Sequence, residues 1–181
     1  MSAVAPLAVR PADPRDVPAI AAIYAPHVLN GLASFEIEPP GEPEIARRLA
    51  EVRARGLPCL VAEADGRVVG YAYAAPYRAR PAYRYTVEDS VYVAQDCSGR
   101  GIGRRLLERL VSESAATGAR QMVAVIGDSA NRASIALHAG CGFARVGLLP
   151  AVGFKLGRWV DSVLMQRALG AGAAAPPTGG G

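Results

Sequence analysis

The segment that most constrains this chain is residues 98–105, which read Ser-Gly-Arg-Gly-Ile-Gly-Arg-Arg. An apolar strand pattern at residues 90–93 precedes it, and an amphipathic helix pattern follows it. Alternate glycines at such a junction leave main-chain N–H groups uncovered, and the helix dipole adds partial positive charge there. Because Arg100, Arg104 and Arg105 stand beside these amides, the segment predicts a binding site for a diphosphate.

Two common phosphate-binding loops differ from this segment. A P-loop ends in Gly-Lys-Ser/Thr, and residues 98–105 contain no lysine. The dinucleotide fingerprint requires a third glycine where Arg104 stands, and it also requires a parallel βαβ unit. The residues upstream instead read as consecutive strands with short connections. A glycine-rich turn with a well-charged helix start is the purely structural alternative.

The bulk properties of the chain exclude several classes of protein. Its 181 residues suit one domain, and 51% apolar with 20% charged residues is typical of a globular protein. We expect no membrane partner, because no apolar run approaches the roughly 20 residues that span a bilayer. The first residues lack the pattern of a secretory signal, and three cysteines without metal spacing favour a reducing compartment. We therefore expect a cytoplasmic protein without a metal ion.

The order of predicted elements indicates an α/β (α+β) fold. Hydrophobic periodicity predicts strand, helix, helix, three strands, helix, strand, helix and two final strands. This order fits a mixed central sheet of about seven strands with helices on both faces. We expect residues 1–169 to form a single domain and residues 170–181, rich in alanine, glycine and proline, to form a disordered tail.

Glu88 is the candidate general base. It lies on the predicted strand 86–93, where Ser90 and Tyr92 share its face. A carboxylate at such a position can act as a base that removes a proton from a bound substrate. An ordinary exposed carboxylate, or an ion-pair partner for Arg80 or Arg84, is the structural alternative.

A connection at residues 77–85 mixes three arginines with three tyrosines. It fits a nucleic-acid surface, a substrate pocket or a solvated loop. The pocket is favoured because Glu88 follows closely: Arg80 for a carboxylate and Glu88 for an amine are what an α-amino acid requires. With a net charge of only +4 and no block of like charges, we expect no nucleic-acid partner.

Residues 98–103 resemble the coenzyme A pyrophosphate loop of the GNAT acetyltransferases, Gln/Arg-x-x-Gly-x-Gly/Ala, with Ser98 at the position of Gln or Arg. The predicted element order is also that of the GNAT fold. Residues 20–24, 34–36, 77–93 and 153–159 resemble the phosphinothricin N-acetyltransferase branch of that family, whose catalytic glutamate matches Glu88.

The resemblance implies transfer of acetyl from acetyl-CoA to the amino group of a small amino-acid-like molecule, such as phosphinothricin, methionine sulfoximine or methionine sulfone. It implies direct transfer in a ternary complex, and a homodimer. The implied cofactor contacts are Val91, Tyr92, Val93, Gly99, Arg100, Gly101, Ile102, Gly103, Arg104 and Asn131. The implied substrate contacts are Phe35, Glu36, Arg80 and Tyr83.

Two residues on the predicted helix 131–140 have alternative roles. Asn131 is also a competent N-cap. His138 stands where many GNAT enzymes have a tyrosine near the thioester sulfur, so the resemblance makes it a catalytic candidate that protonates the thiolate; a packed or capping histidine is the alternative. Other readings of the whole chain are a GNAT enzyme for a peptide N-terminus, lysine or polyamine, a coenzyme A-binding module without catalysis, and a nucleic-acid-binding protein.

Overall fold

The computed structural model describes residues 7–177. Its helices are α1 (Val17–Asn30), α2 (Glu42–Ala54), α3 (Ile102–Ala116) and α4 (Arg132–Gly140). Its strands are β1 (Ala8–Pro11), β2 (Cys59–Ala64), β3 (Arg67–Pro76), β4 (Thr86–Val93), β5 (Gln121–Gly127), β6 (Ala144–Lys155) and β7 (Arg158–Ala168). The predicted order of elements is confirmed.

The seven strands form one mixed sheet in the order β1-β2-β3-β4-β5-β7-β6. Neighbouring strands are antiparallel, except β4 and β5, which run parallel. Helices α1 and α2 pack on one face, against β2, β3 and β4, and α3 and α4 cover the other face. The predicted mixed sheet with helices on both faces is therefore confirmed.

The amphipathic pattern of α3 explains why it packs centrally on the sheet. Leu106, Leu107 and Leu110 are fully buried, and their spacing places them on one side of the helix. Gly70 of β3 allows this close approach, because a Cβ there would lie 3.0 Å from the Leu106 side chain and 3.1 Å from the main-chain oxygen of Tyr92. The packing of α3 places the start of the helix at the end of β4.

Strands β4 and β5 separate after a short stretch of pairing. Their register covers only residues 86–88 of β4 against 121–123 of β5, whereas β4 stays paired with β3 as far as Val93. A gap therefore opens in the middle of the sheet, and one edge of β4 lines it.

The direction of the β4 peptide groups follows from two hydrogen bonds near the ends of the strand. The N–H of Ala94 donates to the C=O of Val69 at 2.9 Å, and the N–H of Tyr77 donates to the C=O of Thr86 at 3.2 Å. Paired residues of an antiparallel ladder alternate between bonded and non-bonded positions, so the even-numbered residues of β4 bond to β3. The residues whose peptide groups face the gap are Asp89, Val91 and Val93.

The predicted tail is described only in part. Residues 170–177 follow β7 as turns, and Arg120 donates hydrogen bonds to the C=O groups of Gly172 and Pro176. Residues 1–6 and 178–181 lie outside the described residues, so the disorder expected at the end of the chain stays a prediction. No helix between residues 7 and 177 is long and apolar enough to cross a lipid bilayer.

Candidate active site

The glycine-rich segment forms the corner between β4 and α3. Gly99 and Gly101 have φ angles of +77° and +76°, a left-handed conformation that is costly for any residue with a Cβ. Gly101 is also the N-cap of α3 and provides no side-chain cap. The first N–H groups of α3, at Ile102, Gly103 and Arg104, have no acceptor within the helix, so they are available to an anion.

A cavity of about 360 Å³ lies at the gap between β4 and β5. Its lining comes from both faces of the sheet. The α1–α2 side contributes Tyr24, Phe35, Glu36, Glu88, Ser90 and Tyr92, and the α3–α4 side contributes Asp89, Val91, Asn131, Ser134 and His138. Two ligands that approach from opposite faces can therefore meet inside the sheet.

Glu88 faces the α1–α2 side of this cavity and is partly buried. Burial raises its pKa, the negative charge of Asp89 raises it further, and the positive charge of Arg78 opposes the shift. A carboxylate whose pKa is raised toward neutrality is a better proton acceptor at physiological pH than an ordinary glutamate. The position and environment of Glu88 therefore suit a general base.

The loop after α1, residues 31–41, closes the same side of the cavity. The hydroxyl of Tyr24 hydrogen-bonds Ser34 Oγ at 2.7 Å and donates to Glu36 Oε1 at 2.8 Å. Arg48 of α2 donates to both carboxylate oxygens of Glu36, at 2.6 and 3.2 Å, and this interaction holds the pKa of Glu36 below its usual value. Glu36 thus lines the cavity and also anchors the loop.

The β6–β7 hairpin holds this loop from the other side. Lys155 is 4% exposed, and its Nζ donates to the C=O of Ser34 at 2.6 Å. Burial lowers the pKa of Lys155, and the charge of Glu36 opposes that shift. The ring of Phe35 lies against Gly153, where a Cβ would come within 2.5 Å of it. The ring position thus depends on a glycine at residue 153.

Asn131 and Ser134 lie at the start of α4. Asn131 Oδ1 accepts a hydrogen bond from the N–H of Ser134 at 3.2 Å, so the N-cap role predicted for Asn131 is present. Asn131 also lines the cavity. The capping role and a cofactor contact are therefore compatible.

His138 is buried, and both of its ring nitrogens contact protein groups. Nδ1 lies 2.7 Å from the C=O of Ser134, and Nε2 lies 3.0 Å from Asp89 Oδ2. The sequence reasoning missed Asp89. The sequence did contain a signal for it. Asp89 has an odd number on β4 and therefore shares the face of Val87 and Val91, where a charged side chain is unexpected.

The gap-facing edge of β4 includes the peptide groups of only two of the three β4 residues predicted as cofactor contacts. Val91 and Val93 face the gap, whereas the peptide groups of Tyr92 face β3 and its side chain packs 4.8 Å from the Tyr24 ring. His27 of α1 places Nε2 2.9 Å from the C=O of Val93. Since a carbonyl only accepts, this nitrogen donates. No sequence signal indicated that contact.

Arg80 and Tyr83 lie outside the cavity. Both are exposed, and Tyr83 packs edge-on against Tyr77 with ring centroids 5.7 Å apart. Arg80 lines a neighbouring groove of about 730 Å³ that also includes Ala75, and Ala75 pairs with Glu88 in the sheet. The structure therefore places Arg80 beside the cavity but not inside it.

The described residues contain no cluster of three or more His, Cys, Asp or Glu side chains that could hold a metal ion. Cys59, Cys97 and Cys141 are unpaired and buried. Neither finding adds a chemical group to the cavity.

Comparison with known proteins agrees with this geometry. The model of the acetyltransferase (GNAT) family matches residues 26–143. A phosphinothricin N-acetyltransferase of Alcaligenes faecalis is 57% identical over 87% of this chain and 80% of its own length. An L-methionine sulfoximine/L-methionine sulfone acetyltransferase of Salmonella typhimurium is 42% identical over 88% of this chain and 93% of its own.

A solved structure also matches closely. The crystal structure of a GNAT superfamily phosphinothricin acetyltransferase from Sinorhizobium meliloti, in complex with AcCoA, superposes with a TM-score of 0.93. The two chains are 47% identical, and the match covers 96% of this chain and 94% of the other.

Removal of the buried lysine tests how the 31–41 loop is held. We expect Lys155→Met to raise amide hydrogen exchange in residues 31–41 about tenfold, on the scale of one hydrogen bond to a charged group. Arg158→Met is the matched control, because Arg158 lies in the same hairpin and pairs with Asp128 at the surface. Equal exchange of the loop in both variants, measured by mass spectrometry, would contradict the anchoring role.

Proposed function

The chain belongs to the acetyltransferase (GNAT) family, and on that premise we propose that it transfers acetyl from acetyl-CoA to the amino group of a small amino-acid-like molecule. The observation that carries the proposal is the cavity at the gap between β4 and β5. Glu88 lies on one side of it, and Asp89, Val91 and the start of α4 lie on the other. The glycine-rich corner follows the end of β4 and begins α3. We place the reaction in the cytoplasm.

Acetyl-CoA binds, in this proposal, along the α3–α4 side. The N–H groups of Gly99 to Arg104 hold the pyrophosphate, since they are grouped at a helix N-terminus. The pantetheine arm extends along the gap-facing peptide groups of Val91 and Val93, as an added strand would. The N–H of Val93 then faces the thioester carbonyl and polarises it.

The amine enters from the α1–α2 side. Glu88 removes a proton from the ammonium, directly or through water, and the free amine attacks the thioester carbon in a ternary complex. His138 lies on the opposite side of β4, where it donates a proton to the leaving thiolate. No acyl-enzyme forms along this route.

The acceptor we propose is an α-amino acid analogue. Relatives are named for phosphinothricin and for methionine sulfoximine and sulfone. Phe35 and Glu36 line the amine side of the cavity. Arg80, in the adjacent groove, supplies a cation for the carboxylate of the acceptor. Tyr83, in the same 77–85 connection, forms part of the wall of the acceptor site.

The function is tested by steady-state kinetics of Glu88→Gln, with phosphinothricin, methionine sulfoximine and methionine sulfone as acceptors and thiol release as the readout. We expect kcat/KM to fall about 10²–10⁴-fold, the usual contribution of a general base. In the wild-type enzyme, kcat/KM falls as the pH is lowered through the raised pKa of Glu88, because the protonated carboxyl cannot accept a proton. That acidic limb disappears in the variant.

Glu38→Gln is the control, since Glu38 is an exposed carboxylate on the 31–41 loop. Preferred turnover of lysine, polyamines or peptide N-termini would replace the proposed acceptor class. Binding of acetyl-CoA without turnover of any amine would leave a coenzyme A-binding module instead of an enzyme. Wild-type kcat/KM in Glu88→Gln would refute the base assignment.

The cofactor site is tested with two glycines of the same conformation. Gly101 and Gly56 have φ angles of +76° and +67°, and neither has an atom within 4 Å of an added Cβ. Replacement of either by alanine costs about 1–2 kcal/mol of stability, because the left-handed conformation is strained. We expect only Gly101→Ala to weaken acetyl-CoA binding, about tenfold by calorimetry. Equal dissociation constants in the two variants would argue against the pyrophosphate loop.

We further propose that the protein is a homodimer that pairs through the β6–β7 hairpin. β6 is an edge strand of the sheet and spans twelve residues, and a long exposed edge is a strong pairing surface. Phe154 and Trp159 are 58% and 67% exposed on this hairpin, with ring centroids 5.3 Å apart. A second copy of the chain would cover both.

Trp159→Glu tests the dimer surface. We expect the wild-type protein to sediment at twice the chain mass of 18.8 kDa, and the variant to sediment as a monomer, because a charge replaces buried apolar area. Leu29→Glu is the matched control, since Leu29 is 52% exposed on α1 and outside the hairpin. A wild-type protein that stays monomeric at tens of micromolar would contradict the proposal.

A further inference from the structure

A buried acidic side chain follows Glu88 and faces the other side of the sheet. Asp89 is 7% exposed and lines the cavity at the gap. Its Oδ2 lies 3.0 Å from Nε2 of His138, which is 4% exposed. Its Oδ1 is buried and has no hydrogen-bond partner among residues 7–177. An ionised carboxylate in such surroundings requires a cationic partner, because an uncompensated buried charge is strongly destabilising.

Both ring nitrogens of His138 face acceptors. Nδ1 lies 2.7 Å from the C=O of Ser134, one turn earlier in α4. A carbonyl oxygen only accepts, so Nδ1 carries a proton. A second proton then lies between Nε2 and the carboxylate of Asp89. The imidazole and the ring of Phe143 form a T-shaped pair, with ring centroids 5.1 Å apart, so the imidazole is held in one orientation.

Asp89 is the charged group that acts on this imidazole. Burial lowers the pKa of His138, whereas the hydrogen bond and charge of Asp89 and the bond to Ser134 raise it, and the net direction is upward. The protonated form of His138 is therefore favoured, even though the side chain is buried.

Charged groups on the other neighbouring elements are engaged elsewhere. On α3, Arg104 and Glu108 pair with each other at 2.7 Å. On β7, Arg167 donates to the C=O of Cys141. These three charges act on the thiol of Cys141, as Asp89 also does, but of the four only Asp89 acts on His138. The protonation of His138 thus depends on Asp89.

We propose that Asp89 is a positioning residue for acetyl transfer: it keeps His138 doubly protonated, with the ring fixed beside the cavity, where the thiolate leaves. The inference rests on the proposed function and assigns to Asp89 a role that it performs through His138.

The protons of the transfer step balance with this assignment. The ammonium first gives one proton to Glu88. Its nitrogen then bonds to the acetyl carbon, the carbon–sulfur bond breaks, and the electron pair goes to sulfur. The thiolate takes the proton that Nε2 of His138 shares with Asp89, because a thiolate, whose conjugate acid has a pKa of about 8.5, binds a proton more strongly than an ordinary imidazole, with a pKa of about 6.5. The second surplus proton of the amine nitrogen restores His138, and Glu88 releases its proton to solvent.

The protonation state of His138 is measured directly by ¹⁵N NMR of the ring nitrogens in the free protein. The chain has two histidines, so a His138→Gln sample assigns both signals. We expect two protonated ring nitrogens at pH 7.5 and a titration above the ordinary value of about 6.5. A neutral ring at pH 7.5 in the wild-type protein overturns the proposal, and this readout requires no substrate.

Asp89→Asn keeps the shape and hydrogen-bonding capacity of the side chain and removes its charge. We expect the ring of His138 to be neutral at pH 7.5 in this variant. We expect kcat to fall about tenfold or more. We also expect the decrease of kcat at high pH, which follows deprotonation of His138, to begin at a lower pH. The KM for acetyl-CoA should stay within about twofold of the wild-type value. Asp65→Asn, in the exposed turn after β2, is the control that keeps wild-type kinetics and ring signals.

The outcomes distinguish failure of the positioning role of Asp89 from failure of the proposed acetyl transfer. A folded Asp89→Asn protein with wild-type kcat and an unmoved basic limb refutes the positioning role, even if His138 is cationic. Absence of turnover with every amine refutes the proposed function, and the NMR state of His138 in the free protein remains as an independent measurement. Reduced kcat together with a neutral ring supports the proposal.

Discussion

The separation of β4 from β5 is the constraint on which the rest of the structure depends. Parallel pairing ends after Glu88, and the peptide groups of Asp89, Val91 and Val93 then have no neighbouring strand. Buried peptide groups require hydrogen-bond partners, so this edge suits a ligand that can pair like a strand. The same divergence opens the cavity and leaves room for the start of α3 at the end of β4.

Polar contacts between distant segments hold the walls of the gap in place. Lys155 anchors the 31–41 loop from the β6–β7 hairpin, and Arg48 anchors it from α2 through Glu36. His138 connects α4 to Asp89 of β4 in the same way. Each bond fixes a group whose position would otherwise depend on apolar packing, which is less directional than a hydrogen bond.

Local patterns made most of the fold predictable, whereas the site was only partly so. The periodicity of strands and helices is a local signal, and so are the glycines at residues 99–103. The alternation of side chains along β4 correctly assigned the face on which Glu88 lies. The bond of Lys155 to Ser34 joins residues 121 positions apart, and the contact of His27 with Val93 joins two elements that no short-range pattern relates. Such contacts follow from tertiary packing alone.

Because side chains alternate between the two faces of a sheet, the proposed proton acceptor and proton donor lie on opposite sides of β4. Glu88 and Asp89 are adjacent in sequence, yet their side chains point to opposite faces of the sheet. In the proposed reaction the amine enters from the side that Glu88 faces, whereas Asp89 faces the helix that carries His138. The two carboxylates still interact, since the charge of Asp89 raises the pKa of Glu88. In the proposed mechanism, one dipeptide on a strand that borders a gap therefore supports both a proton acceptor and a proton donor, and it does so without placing them in contact.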